Sequence, residues 1–128
     1  MSAREELHAA VCAALGEVLA PVAVFDAPPV RGGVPCVVVE EPILIDWSTK
    51  DFAGREGRIA VLIRDEGERP VRLRAMTALT EYTIEAMPAA LGGGWRIVTL
   101  TMLRSRILRS AAGWTGMSEF RVRMLRTN

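Results

Sequence analysis

The stretch 35–63 constrains this chain more than any other. It reads Pro-Cys-Val-Val-Val-Glu-Glu-Pro-Ile-Leu-Ile-Asp-Trp-Ser-Thr-Lys-Asp-Phe-Ala-Gly-Arg-Glu-Gly-Arg-Ile-Ala-Val-Leu-Ile. Two runs rich in β-branched residues and bounded by turn formers read as strands. In the second run Ile59, Val61 and Ile63 alternate with Ala60 and Leu62. Both sets are apolar, so 58–64 is expected to be a central strand covered on both faces. Pro42 cannot donate to a ladder, so the strand 36–41 is expected to be an edge there or to break into a bulge, with 43–45 resuming the extended run. The polar segment between the runs is about ten residues long, beyond the two to five usual for a hairpin. The segment 46–58 is therefore expected to be a functional or mobile loop.

The flanks supply helices and a hairpin. Ser2 followed by Glu5 has capping-box spacing and opens a helix. Leu7, Val11, Ala14, Leu15 and Val18 form its apolar stripe, and Pro21 marks its end. A short strand is expected at 22–25, stopped by Asp26-Ala27-Pro28-Pro29. Pro70 suits the first turn of a second helix. One face of that helix would carry Leu73, Met76, Leu79, Thr80, Thr83, Ile84 and Met87, and the other Arg74, Thr77, Glu81 and Glu85. The last third reads as a β-hairpin, with strands at 95–108 and 117–125 and a turn region at 110–116. On the return strand Phe120, Val122 and Met124 alternate with Glu119, Arg121 and Arg123, a half-buried pattern. The order implies one α+β domain over 1–128: a mixed or antiparallel sheet with two helices packed on it and a C-terminal hairpin.

Composition removes several classes. At 128 residues the chain can bury a core without a metal or a disulfide. Its net charge is +1, which argues against strong binding to nucleic acid or an anionic membrane. Lys50 is the only lysine. The excess of arginine fits planar anion recognition or a coding bias that also raises Ala and Gly. Two cysteines, Cys12 and Cys36, without a secretory-signal pattern fit a reducing compartment. The apolar runs are too short to span a membrane.

No catalytic constellation emerges, so the chain is not expected to be an enzyme. The single histidine, His8, has no base–nucleophile partner. His8 and Cys12 are four apart on a helix, but a metal site needs more ligands, so neither a metal nor a cofactor is expected. Gly92, Gly93 and Gly94 follow a helix and precede a strand, the reverse of a phosphate loop. The arginine rows at the end are more informative. Arg104, Arg106 and Arg109 leave one strand, and Arg121, Arg123 and Arg126 leave its partner. Like charges opposed across a pair destabilise it. Either the register separates them, or acidic groups lie between them. They form a solvated face, or a surface for an acidic partner such as a neighbouring subunit, with Glu40, Glu41, Asp65 and Glu66 as the acidic candidates. Trp47, Phe52 and Trp114 are interface anchors or lids over the core.

The ordered set of helix, Phe25-Asp26-Ala27-Pro28-Pro29, Pro35-Cys36-Val37-Val38-Val39, Asp46-Trp47-Ser48-Thr49-Lys50 and a Gly-Arg-Glu-Gly segment resembles the tail-terminator, or tail-completion, family of long-tailed phages and phage-like gene transfer agents. The resemblance runs from the first helix to the segment 113–120. Two departures stand out: Cys36 lies where an aromatic is common, and Arg64-Asp65 replaces an aromatic–polar pair. The resemblance implies a structural protein that forms a ring, usually of six copies, on the last ring of a tail tube. Such a ring stops polymerisation and meets the head connector, and DNA passes its channel without sequence-specific binding. Its partners would be copies of itself, the tail tube protein and the head–tail connector or stopper. It would sit in the host cytoplasm during assembly and then in the neck of the particle. Arg104, Arg106, Arg121 and Arg123 would face Glu40, Glu41, Asp65 and Glu66 between subunits. Trp47, Lys50, Asp51, Phe52 and Arg55, in the segment 46–58, would meet the tube or the lumen. Another connector or tube ring protein, or a small-ligand-binding regulatory domain, is the alternative.

Overall fold

The computed structural model describes residues 1–127. Helix α1 (Ala3–Leu19) leads to β1 (Ala23–Phe25), β2 (Cys36–Val39), β3 (Ile43–Asp46) and β4 (Phe52–Asp65). Helix α2 (Val71–Glu85) follows, then a 3-10 turn (Gly92–Gly94) and the hairpin of β5 (Trp95–Ser110) and β6 (Gly113–Thr127). The six strands form one sheet in the order β1-β2-β4-β6-β5, and β3 pairs with the other end of β4. Only the β1–β2 pair is parallel, so the sheet is mixed and the class is α+β.

Each element follows from its residues. Ser2 caps α1 by the predicted box, accepting from the Glu5 amide while the Glu5 carboxylate accepts from the Ser2 amide. The buried stripe of α1 is Ala3, Leu7, Val11, Leu15 and Leu19, one residue every turn. Val18, expected in that stripe, is exposed because the i, i+4 line passes it by. In α2 the expected face holds for Leu73, Met76, Thr80 and Ile84, but Leu79 is exposed and Thr77 is buried. Gly116 explains Thr77: the bare backbone of β6 lets the helix approach until a Cβ there would stand 2.8 Å from the Thr77 hydroxyl.

The register assigns each strand residue to a face. Ile59 pairs with Phe120 and Phe120 with Met102, so these point to one side. That side carries Ile59, Val61, Ile63, Val37, Val39, Phe120, Val122 and Met124, and it packs on Leu7, Val11, Leu15, Leu73 and Ile84 in one core. Burying each such side chain stabilises the fold by about 1.5–3 kcal/mol before entropy is counted. The opposite face has no helix over it. There Ala60 and Leu62 are only half-buried, so β4 is central but not covered on both sides as its sequence suggested. The alternation of two apolar sets could not distinguish a second layer from open sheet.

The largest correction concerns 46–58, which is a β-hairpin and not a long loop. Strand β4 begins at Phe52, and Ile43, Leu44, Ile45 and Asp46 pair with Arg58, Gly57, Glu56 and Arg55. The connection shrinks to 47–51. It is tied by Thr49 N–H to Phe52 O at 2.8 Å, by Ser48 Oγ to Asp46 Oδ1 at 2.5 Å and by Phe52 N–H to Thr49 Oγ1 at 3.1 Å. Gly54 and Gly57 looked like loop residues. They are where the strands meet most closely, since a Cβ at either would collide with the Trp47 or Ile43 carbonyl oxygen. The final turn is tighter than expected too: Ser110 pairs with Gly113, and the ladder continues without a wide loop. Pro42 falls in the break between β2 and β3, past the end of β1, which pairs only with Cys36–Val38, so the chain is an edge there.

Candidate assembly interface

The uncovered face of the sheet collects the charges. Reading across the register, Ile45, Glu56, Arg123 and Thr99 form one row, and Ile43, Arg58, Arg121 and Thr101 form the next. Ala60, Glu119 and Arg104 follow, then Val38, Leu62, Met117 and Arg106, then Cys36, Arg64, Thr115 and Leu108. Six arginines therefore share a face with only Glu56 and Glu119. The two sequence departures, Cys36 and Arg64, are direct cross-strand partners.

Those two carboxylates resolve the arginine problem. Glu119 accepts from Arg104 at 2.7 Å and lies 3.8 Å from Arg58, with its side chain 12% exposed. Glu56 accepts from Arg123 at short range and from Arg121 at 3.2 Å. The hydrogen bond from Arg123, aided by Arg121, holds the Glu56 carboxyl below the usual glutamate range. Acidic groups do lie between the arginines, but the subunit itself supplies them. Glu119 was legible in the alternation of β6. Glu56 was hidden in the segment that read as a loop and had no face. Because Arg121 and Arg123 share Glu56, reversing both would gather three carboxylates and damage the subunit. Arg106 has no ion-pair partner among the described residues, and it is the cleaner probe of an interface.

The four candidate acids differ in placement. Glu40 and Glu41 are exposed between β2 and β3 without ion-pair partners among the described residues. Glu66 is exposed after β4, whereas Asp65 is 4% exposed and belongs to the subunit's interior. Asp65 receives Arg72 Nε at 2.8 Å and Nη2 at 2.6 Å, and the Glu66 amide at 2.9 Å. The Arg72 hydrogen bonds hold its carboxyl below the usual aspartate range against the opposing effect of burial. A depressed folded value stabilises the protein above the unfolded value of about 3.9, and this is lost as pH falls through the folded value. The denaturation midpoint is expected to fall below about pH 4 and to fall less in Asp65→Asn. Parallel pH profiles for the two proteins would refute this role.

The aromatic residues are clamped by arginines. Arg123 lies 5.0 Å from the Trp47 ring and Arg109 lies 4.9 Å from Trp114. Trp114 also donates its indole N–H to Gly67 O at 3.0 Å. Both rings are half-buried and fold back onto the subunit. Phe52 is 38% exposed at the start of β4. Lys50 and Asp51 are exposed at the hairpin tip. Arg55 donates to Asp46 at 3.2 Å and lies 5.6 Å from Trp95. His8 is structural, with Nε2 2.9 Å from Val39 O. A groove of about 330 Å³ on the open face runs between Ile43, Ile45 and Leu103, with Arg58, Arg121 and Glu56 at its sides. It offers apolar contact with guanidinium donors, a combination suited to protein surfaces.

The sequence profile of the tail completion protein gp17 family matches residues 5–125. The chain belongs to that family. The match takes in most of both helices and of all six strands of this tail-completion protein. A chain from the virion of a native gene transfer agent particle has the same fold, with a TM-score of 0.79 at 21% identity, over 98% of this chain and 99% of that one. No curated protein matches the chain. The protein is thus a phage-type tail structural protein, and the open arginine face is its candidate contact surface.

Proposed function

We propose that this tail-completion protein forms a closed ring, hexameric by the family's usual pattern, that caps the finished tail tube. The ring stops tube polymerisation and joins the tail to the head connector or stopper, and DNA passes through it without sequence-specific contacts. It assembles in the host cytoplasm and ends in the neck of a phage-like particle. The observation that carries this reading is the family match over nearly the whole chain. The open face supports it, since a heterologous ring needs two unlike patches on each subunit. The hairpin tip with Lys50 and Asp51 is placed toward the tube or the lumen. It is tested by substitution at the tip, because removing 50–54 would also remove Gly54 and the start of β4.

Electron microscopy of particles lacking this gene tests the function. Overlong, headless or variable tails are the expected result. Tails of normal length on intact particles would overturn the reading and favour a ligand-binding domain. A complete lack of tails would overturn it in favour of a tube protein.

A further inference from the structure

The sheet ends at β5 on one side and, on the other, at β1 beside β2 and at β3, and β5 and β3 each lack an outer strand among the described residues. Beyond Val98 the outer edge of β5 pairs with no strand among the described residues. Its first turn of chain is covered, with Leu91 N–H bonding to Trp95 O and Ile97 N–H to Ala89 O. The free run exposes Val98, Met102, Leu103 and Leu108. A long apolar edge of this kind is a template for another strand. On the opposite edge β3 pairs only with β4, and Ile43 and Ile45 are 69% and 61% exposed. The charges are opposed as well. Strand β5 holds Arg96, Arg104, Arg106 and Arg109 and no acid, while 36–49 holds Glu40, Glu41 and Asp46 and no base.

We propose that the outer edge of β5 is completed by the outer edge of β3 of a second copy, so that the sheet continues from subunit to subunit. This rests on the ring reading above and specifies its seam. Strand β5 runs parallel to β4 and β3 runs antiparallel to it, so a neighbour displaced across the strands meets β5 antiparallel. With no shift along the strands, the rows set Ile43 level with Thr101 and Ile45 level with Thr99. The same rows set Glu40 level with Arg104, because Glu40 N–H bonds to Ala60 O and Ala60 leads through Glu119 to Arg104.

The backbone polarity agrees with this register. Trp47 N–H bonds inward to Gly54 O, so alternation turns the amide and carbonyl of Leu44 outward. Ile97 N–H bonds outward, and its partner Met124 lies two residues from Val122, the partner of Leu100. Leu100 is therefore outward as well, and it falls level with Leu44 through Val122 and Gly57. Two outward residues facing each other are what an antiparallel ladder requires. Arg106 and Arg96 on one side, and Glu40 and Glu41 on the other, have no ion-pair partners within the subunit among the described residues. A twofold β5–β5 contact would instead bring two arginine-bearing edges together. Repeating the unlike-edge step is heterologous, the kind of contact from which a cyclic ring is built when its rotation closes.

The test is assembly mass by mass photometry and sedimentation. The wild type is expected to form rings, and Leu100→Ala, which keeps the amide, is expected to do so as well. Leu100→Pro removes the outward N–H from an edge strand and is expected to weaken assembly at least tenfold while circular dichroism stays native. Arg106→Glu is expected to weaken assembly, and adding Glu40→Arg, in the adjacent row of the same face, to restore it. If Leu100→Pro misfolds, the charge-reversal pair decides. Rings of normal stability with both Leu100→Pro and Arg106→Glu would overturn the seam and leave the ring reading standing. A wild type that stays monomeric at every concentration would overturn both.

Discussion

Phe120→Ala is expected to lower the unfolding free energy by about 3–5 kcal/mol. Phe120 is fully buried and is the largest side chain in the core with no exposure. It lies on the middle strand pair, between Ile59 of β4 and Met102 of β5. Close-packed interiors relax only partly around a deletion, so the lost contacts add to the lost transfer energy. A domain of this size has about 5–15 kcal/mol of stability, so the variant would retain little. The effect reaches the arginine face directly. Glu119 and Arg121 flank Phe120 on the same strand and point the other way, so loosening the core side of β6 loosens their ion pairs. Urea denaturation reads the loss, and a change under about 1 kcal/mol would remove Phe120 from its central place.

Gly57→Ala is expected to destabilise β3 by about 2–3 kcal/mol, although it adds only one methyl group. That methyl would collide with the Ile43 carbonyl oxygen and stand 2.9 Å from the Leu44 Cα. Both are backbone atoms, so no rotamer change relieves the clash and the strand itself must move. Gly16→Ala is the contrast, since its Cβ meets nothing within 4 Å. In mid-helix it is expected to gain about 0.5–1 kcal/mol. Hydrogen exchange at Ile43 and Ile45 is expected to accelerate in Gly57→Ala and remain unchanged in Gly16→Ala. Equal protection in both would show that β3 does not depend on the bare backbone at Gly57. Assembly should fail with β3, because β3 is the edge proposed to meet the next copy.

Much of the fold was legible in the residues themselves. Local rules sufficed for the capping box at Ser2 and Glu5, for the i, i+4 stripe through Leu7, Val11 and Leu15, and for the alternation of Phe120, Val122 and Met124 with charged neighbours. The family could be read from the order of short motifs around Pro35 and Trp47. Where local and tertiary signals diverged, the local ones misled. Gly54 and Gly57 are chemically loop-like, yet they are strand residues because another backbone passes where their side chains would be. Thr77 is polar, yet it is buried because Gly116 lets the helix approach. Ala60 and Leu62 are apolar, yet they are only half-buried because no helix packs over their face.

The candidate surface divided along the same line. Sequence alone determined that the end of the chain carries rows of arginine, that Glu119 alternates on the same side as Arg121 and Arg123, and that Glu40-Glu41 and Asp65-Glu66 are its acidic pairs. It could not reveal that Glu56 neutralises Arg121 and Arg123, that Asp65 is held inside by Arg72, or that β3 and β5 lie on opposite edges. Those facts depend on register and strand order. Register joins residues such as Glu56 and Arg123, far apart along the chain, through backbone hydrogen bonds that carry no side-chain signature. Composition and periodicity specify which way a residue faces, and only the folded sheet specifies what it meets there.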